Sequence, residues 1–357
     1  MSVNGPGSTG IFEIPPFSLR RASASAGFLV EAKMGTVKPP VKSASLVCLI
    51  VAAMGLVSCR ANRDEIAVIP KTTGTTMWEA EHAGAEFAAR KAGLRIRWNA
   101  PTREDAIQRQ IDMVDRAVAQ RCRGLILTPD EPRALMLPVQ RALAAGVPTV
   151  VLGSALSLPP QRNLSYIVND DEMIGQMAAM RIGEVLHGKG KVAVVGIHAQ
   201  SLSSLAVLSS FVSLIEQRFP NISIVDRRGA TSNDLDAELV VHQVLLSHQV
   251  DAIFALDSIG TLGAYLALKT RSLTNEIKVI GVQQSAALAA AIRLRQIDSI
   301  IAENTYQMGY QAVESLAAGQ AKQPGMVKLA PMLITADNVD SVAARPFVTN
   351  KWGAEQQ

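Results

Sequence analysis

From Glu65 onward, short apolar runs alternate with amphipathic stretches of helical period, the pattern of a parallel sheet with crossover helices. The runs predict strands at Ile66–Pro70, Leu94–Asn99, Gly124–Thr128, Pro148–Leu152, Lys191–Ile197, Ile222–Asp226, Ala252–Leu256 and Lys278–Val282. The clearest helix spans Thr102 to Arg121, where Ile107, Ile111, Val114 and Val118 fall on one face and Thr102 with Asp105 reads as a capping box. The rhythm breaks at the proline- and serine-rich "GSALSLPPQRNLSY", Gly153 to Tyr166, and restarts after Asp170. A domain crossing is expected there.

A different pattern precedes the first strand. "LVCLIVAAMGLVSCRANRDE", Leu46 to Glu65, turns abruptly from apolar to charged. The uncharged run from Ser43 to Ser58 is shorter than the roughly 20 apolar residues of a spanning helix. Lys38 and Lys42 precede it and small residues crowd its end, which is the order of a secretory signal. Leu56-Val57-Ser58-Cys59 resembles the bacterial lipobox, and the resemblance implies cleavage before Cys59 and a lipid on its thiol. The competing reading is a buried cysteine in a core helix. Counted from Met1, this signal exceeds the usual length of about 15–30 residues, whereas counted from Met34 it falls within it. Residues 1–33 therefore read as an over-extended frame or a leader. N-myristoylation at Met34-Gly35 fails, because Pro39 stands where that motif needs Ser or Thr.

Composition narrows the function. A chain of 357 residues is long enough for two cores beyond the leader. The net charge of +4 is modest and no basic run interleaved with aromatics occurs, so nucleic acid is not implied as a partner. Of the three cysteines, Cys48 leaves with the signal and Cys59 takes the lipid, so Cys122 remains alone and is expected to be buried. His82, His187, His198, His242 and His248 show no metal-ligand spacing, and neither a metal nor a cofactor is assigned. Gly188-Lys189-Gly190 precedes its strand instead of following it, so it reads as a turn and not a dinucleotide loop. Ser201, Ser203 and Ser204 lie at a predicted helix start and read as capping residues.

"EIAVIPKTTGTTMWEAEHAGAEFAA", "GLILTPDEPRALMLPVQRALAAGVPTVVL", "VNDDEMIGQMAA" and the stretches after them, taken in order, resemble the type I periplasmic sugar-binding proteins of the ribose-binding kind, which are substrate-binding proteins of ABC transporters. "EIAVIPKTTGTTMWEAEHAGAEFAA" resembles the family's opening strand, polar loop, aromatic and Gly-Ala helix. "GLILTPDEPRALMLPVQRALAAGVPTVVL" is similar to its third and fourth strands, and "VNDDEMIGQMAA" to its Asp-Asn-x-x-x-Gly segment. "VDAIFALDSIGTLGAYLAL", "VIGVQQSAALAAAI", "IIAENTYQMGYQAVE" and "LITADNVDS" follow in register.

The resemblance implies an α/β fold of two doubly wound parallel-sheet domains, with a ligand cleft between them and three crossover segments. Open sheets of this kind also hold their ligands at the carboxyl ends of the strands. The crossings are expected near Val168–Asp170, Ala302–Asn304 and Ala330–Leu333, with the helix at Gln307–Gly319 returning to the first domain. That gives a leader and signal at 1–58, a first lobe of 64–169 plus 304–332, a second lobe of 170–303 plus 333–345, and a tail at 346–357.

Carried onto this chain, the family's ligand contacts fall at Trp78, Asp170, Asp171, Asp257, Gln283 and Glu303, while the loop Thr72 to Thr76 offers a ligand hydroxyls and a helix N-terminus, with Thr76 as its candidate contact. Trp78 is expected to stack on a sugar face, against the alternative of packing on the sheet. Thr76, Asp170 and Asp171 each read equally as helix caps. Asp257 is expected to accept from ligand hydroxyls, with capping of the following helix as the alternative. Gln283 replaces a family aspartate and Glu303 a family glutamine. Gly153-Ser154 stands where the family leads into Asp-Arg or Asp-Ser, and Leu205 where it has a sugar-binding arginine.

The implied function is non-enzymatic capture of a small sugar, polyol or amino sugar outside the cytoplasm and delivery to an ABC permease. Membrane contact would run only through the lipid on Cys59. The alternative is a sensory lipoprotein that hands its closed state to a membrane receptor. An enzyme would need a nucleophile, metal or cofactor loop, and a repressor of the lac type would need a helix-turn-helix where residues 1–58 carry the signal.

Overall fold

The computed structural model describes residues 64–73, 76–103, 106–319 and 324–348, so the expectations for the leader, for Cys59 and for Asp105 lie outside the described residues. Two six-stranded sheets organise the rest. The first contains β1 (Glu65–Ile69), β2 (Arg95–Trp98), β3 (Gly124–Leu127), β4 (Thr149–Gly153), β5 (Leu164–Asn169) and β11 (Gly325–Leu329). Their order is β11-β5-β4-β3-β1-β2, every neighbouring pair parallel. The second contains β6 (Lys189–Ile197), β7 (Asn221–Gly229), β8 (Ala252–Ala255), β9 (Lys278–Val282), β10 (Ser299–Ala302) and β12 (Met332–Thr335). Its order is β12-β10-β9-β8-β6-β7, with β12 alone antiparallel.

Period-two side-chain alternation divides each sheet between two cores. In the first, Ile66, Val68, Ile126, Val150 and Leu152 pack beneath α1 (Thr76–Ala92) and α9 (Thr305–Ala317). Ala67, Ile69, Leu125, Leu127 and Val151 face α2 (Ile107–Ala119) and α3 (Pro132–Ala144). In the second sheet, Val192, Val194, Phe254 and Ile280 face α4 (Asp171–Val185) and α5 (Leu202–Arg218). Ala193, Val195, Ile253 and Val279 pack under α6 (Asp234–Ser247), α7 (Ser258–Thr270) and α8 (Ala286–Arg293).

The chain passes between the sheets three times, after β5, after β10 and after β11. The helix after the second crossing, α9, lies on α1 in the first lobe. Contact there is close because an added Cβ at Gly84 would collide with the Tyr306 carbonyl, and one at Gly309 with the Glu81 carbonyl. Met332, which the sequence reading put at the end of the first lobe, instead pairs with Ala302 in the second sheet. Residues 346–348, where a tail was expected to begin, belong to α10 (Arg345–Val348), whose Phe347 is buried in the second sheet's core.

Two local expectations need correction. The long helix begins at Ile107 and not at Thr102, and Ala106 at its N-cap makes no side-chain capping bond. Four strands were not foreseen: β5, β10, β11 and β12. β5 is buried along its whole length, which erases the alternation that marks a half-buried strand, and Pro159-Pro160 just before it reads as loop. β11 and β12 are edge strands, with Met326 and Val327 of β11 exposed, and edges carry a weak hydrophobic signal.

Candidate functional site

The carboxyl ends of the two sheets meet around Glu303, the first residue after β10. The side-chain amides of Asn169, the last residue of β5, and Gln283, the first after β9, stand near enough to favour its ionised carboxylate. Lys71, beyond the end of β1, supplies a positive charge, and Asp171 at the start of α4 an opposing negative one. The site therefore draws on both sheets and on two of the three crossings. Burial, and next the neighbouring Asp171 charge, push the Glu303 carboxyl up to about 7, against the stabilising contacts of Asn169, Lys71 and Gln283.

The backbone under Glu303 is fixed by Gln284. Its Nε2 donates to the Glu303 carbonyl at 2.8 Å, and its Oε1 accepts from the Glu303 N–H at 3.0 Å. Gln283 adopts φ 67°, a left-handed backbone that a non-glycine residue holds only when its surroundings impose it. Its N–H donates to the Ile301 carbonyl at 3.0 Å, which extends the β9–β10 ladder by one bond and turns the side chain toward Glu303.

Asp171 accepts a hydrogen bond from Ser203 Oγ at 2.6 Å. Burial nevertheless pushes its carboxyl up to about 6, with adjacent Asp170 adding to the rise. Asp170 takes the bland alternative: it is the N-cap of α4, accepting from the Met173 N–H at 3.2 Å, with Lys328 at 3.9 Å. The three serines divide their work. Ser201 caps α5 by accepting from the Ser204 N–H, Ser203 binds Asp171, and Ser204 Oγ accepts from the His198 N–H at 3.1 Å.

Asp257 is a cap and more. One carboxylate oxygen accepts from the Gly260 N–H at 2.5 Å at the start of α7, and the other lies 2.8 Å from His198 Nε2. Both oxygens are thus engaged within the protein, which leaves less acceptor capacity for ligand hydroxyls than the sequence reading gave it. Gly196 at φ 76° lets the backbone approach, since a Cβ there would sit 3.0 Å from the Asp257 carboxylate. His198 itself has a half-exposed ring, so this pair forms a polar rim at the end of β6.

In the first lobe, Trp78 is only 3% exposed, yet none of the four apolar clusters includes it. It stands on the first turn of α1, which Thr76 opens. Gln110 on α2 gathers the loops beside it: its Nε2 donates to the carbonyls of Pro70 and Thr128, and its Oε1 accepts from the Asp130 N–H. Thr72 Oγ1 donates to the Pro101 carbonyl, tying the β1 and β2 loops.

Of the residues expected from sequence, then, Asp171, Gln283 and Glu303 come together, Asp170 and Asp257 cap helices, and Trp78 is enclosed. Sequence reasoning missed Lys71, Asn169, Ser203, His198, Gln110 and Gln284. Lys71 and Asn169 carried a positional signal, since each follows or ends a strand at the carboxyl edge of its sheet. Gln110 of α2 and Gln284, the second residue beyond β9, carried none. Cys122 is a free, buried thiol, and burial raises its pKa. Among the described residues no group of three or more metal-ligating side chains occurs.

Residues 66–323 match the family model described as periplasmic binding protein domain. The chain is 25% identical over 279 residues to a D-apiose import binding protein of Paraburkholderia graminis, covering 76% of this chain and 88% of that one. It is 24% identical over 233 residues to a ribose import binding protein of Bacillus subtilis, covering 65% and 73%. Its structure is similar to an ABC transporter solute-binding protein of Agrobacterium vitis with bound D-fucose, at TM-score 0.72 and 25% identity across 80% of this chain and 100% of that one. A second Agrobacterium vitis solute-binding protein, bound with α-D-tagatopyranose, superposes at TM-score 0.74 with 21% identity over 80% and 99%. These relatives are binding proteins and not enzymes, and this chain is a binding protein of the same two-sheet fold.

Proposed function

The chain belongs to the periplasmic binding protein family, and on that premise we propose that it captures a small sugar or polyol outside the cytoplasm and delivers it to an ABC permease. The observation that carries this reading is the convergence on Glu303, where Lys71 and Asn169 of the first lobe meet Asp171 and Gln283 of the second lobe. Groups from both lobes that share one ligand make closure favourable, because only the closed form satisfies all of them. Charge sets the class. Asp171 and Glu303 already repel each other, with Lys71 and Lys328 as the cations beside them, so an anionic ligand would be costly and a donor-rich, neutral or amine-bearing molecule fits. The relatives' names, which mention apiose, ribose, fucose and tagatose, support the same class.

A thermal-shift screen over sugars, polyols, amino sugars and sugar phosphates tests this. A binder at 100 times its Kd should stabilise the protein by about 2.7 kcal/mol. Shifts from sugar phosphates alone would refute the assignment. Solution scattering with a saturating hit should show a smaller radius of gyration. We further propose that Cys59, following Leu56-Val57-Ser58, carries the lipid that holds the mature chain to the cell envelope. If the full chain and Cys59→Ala both fractionate as soluble protein in a bacterium, and mass spectrometry finds no lipid, the anchor does not exist.

A further inference from the structure

The first lobe contains an acid that neither the helix-packing pattern nor the Glu303 cluster uses. Glu81 lies on the sheet-facing side of α1, one turn after Trp78, and is 1% exposed. The next residues on that stripe, Ala85, Ala88 and Ala89, are core. Among the described residues Glu81 has no cation at ion-pair distance, and its one side-chain donor is Thr128. The Thr128 hydroxyl has a single proton and stands 3.3 Å from each carboxyl oxygen. Most of the acceptor capacity of this acid is therefore unspent. An apolar residue would fill such a place at far lower cost.

Thr128 shows where the unspent capacity points. It is the first residue beyond β3, at the carboxyl edge of the sheet, and its N–H donates to the Ile69 carbonyl. One branch of its side chain faces Glu81. The other, Cγ2, borders Gly153, the last residue of the adjacent strand β4. A Cβ built at Gly153 would find Thr128 Cγ2 at 3.5 Å and no other atom among its neighbours within 4 Å, so space is left open there. Gly153 also holds φ 73°, which keeps larger residues out of that place. A nearly unpartnered buried acid, the threonine it touches and an unfilled space thus line up along the carboxyl edge of the first sheet.

We propose that Glu81 is a specificity-determining residue of the first lobe: with Thr128 it accepts hydrogen bonds from a donor-rich part of the ligand, a hydroxyl pair or an ammonium group, lodged beside Gly153. This rests on the reading of the chain as a sugar- or polyol-binding protein. It adds a first-lobe acid to Asp171 at the first crossing and Glu303 at the second.

The test uses the full chain and its Glu81→Leu, Glu81→Gln and Thr128→Val variants, titrated with D-apiose, D-ribose, D-fucose, xylitol, D-glucosamine and ribose 5-phosphate, with thermal unfolding measured alongside. Glu81→Leu should raise the unfolding temperature of the unliganded protein while raising Kd for the tightest neutral or amine-bearing compound at least tenfold. Thr128→Val should also weaken binding, and Glu81→Gln, which keeps an acceptor, should weaken it less than Leu does. A structural role predicts instead that stability and affinity fall together. Kd values within twofold of the parent in both Glu81→Leu and Thr128→Val overturn the proposal and leave the sugar-binding reading intact. If Glu81→Leu does not fold, Thr128→Val decides alone. A parent chain that binds only ribose 5-phosphate, or none of the panel, overturns the sugar-binding reading and this inference with it.

Discussion

Replacing Glu81 with glutamine should flatten the protein's stability against pH, and the size of the effect follows from burial. The folded-state carboxyl is pushed up to about 8 from an ordinary value of 4.5, chiefly by burial. Between those values the unfolded chain is ionised at this position while the folded chain holds the proton. Folding therefore takes up one proton, and stability falls as pH rises through the window. Below about 4.5 no penalty exists, and above about 8 it is complete. The slope is about 1.4 kcal/mol per pH unit, or about 2.7 kcal/mol between pH 5 and pH 7. That is a large part of the roughly 5–15 kcal/mol by which folded domains exceed unfolded ones. Urea unfolding of the parent and of Glu81→Gln at pH 5, 6, 7 and 8 isolates this residue, because Asp171 and Glu303 titrate in both proteins and cancel in the difference. Parallel stability profiles for the two proteins would refute the account.

The other expectations follow from individual contacts. Asp257→Ala removes the α7 cap and the His198 partner, and should cost about 1–2 kcal/mol of stability, read by the same unfolding assay; no change would mean that the cap is redundant. Gly175→Ala should destabilise by well over 1 kcal/mol, since its Cβ would collide with the Val207 carbonyl where α4 meets α5, and calorimetry should show it. Asp171→Asn should lower the pH at which Glu303 titrates, because it removes the charge that adds most to burial, and isotope-labelled carboxyl NMR reads this directly.

Most of the sheet architecture was legible because it rests on periodicity. Strands that face a core on both sides, such as β3 and β8, are unbroken apolar runs, and the helices between them carry their stripes openly. What failed was local or at the edges. β5 lost its signal to complete burial and to the prolines before it, and the start of α2 was misplaced because Thr102 had the chemistry of a cap without its geometry. The site divides along the same line. Asp171, Gln283 and Glu303 could be reached because each sits at a strand end, where an open sheet presents its ligand groups. The pairing of Asp257 with His198 was not legible, since a sequence does not say that a histidine far away in the chain lies beside its second oxygen. Glu81 was invisible for the opposite reason. On a helix of alternating small and charged residues it reads as one more solvated acid, and only the packing of α1 on the sheet turns it inward.

The return of α9 and β11 to the first sheet has a consequence for how the molecule comes into being. When the chain up to Asn169 has emerged, five strands of the first sheet exist, but one face of it, including Ile126, Val150 and Leu152, still lacks α9, and β5 still lacks its neighbour β11. Those pieces arrive only after the whole run from α4 to β10 has been made. The first lobe must then wait with an uncovered apolar face and an open strand edge, the features that make partly formed proteins aggregate. The second lobe waits as well, because β12 follows β11. Neither half can mature ahead of the other, so biogenesis is committed late and to both at once, through contacts between residues distant in the chain that are slow to form. A chain that must remain unfolded until it has crossed a membrane gains from that delay, and a chain truncated before Thr305 would be stranded by it.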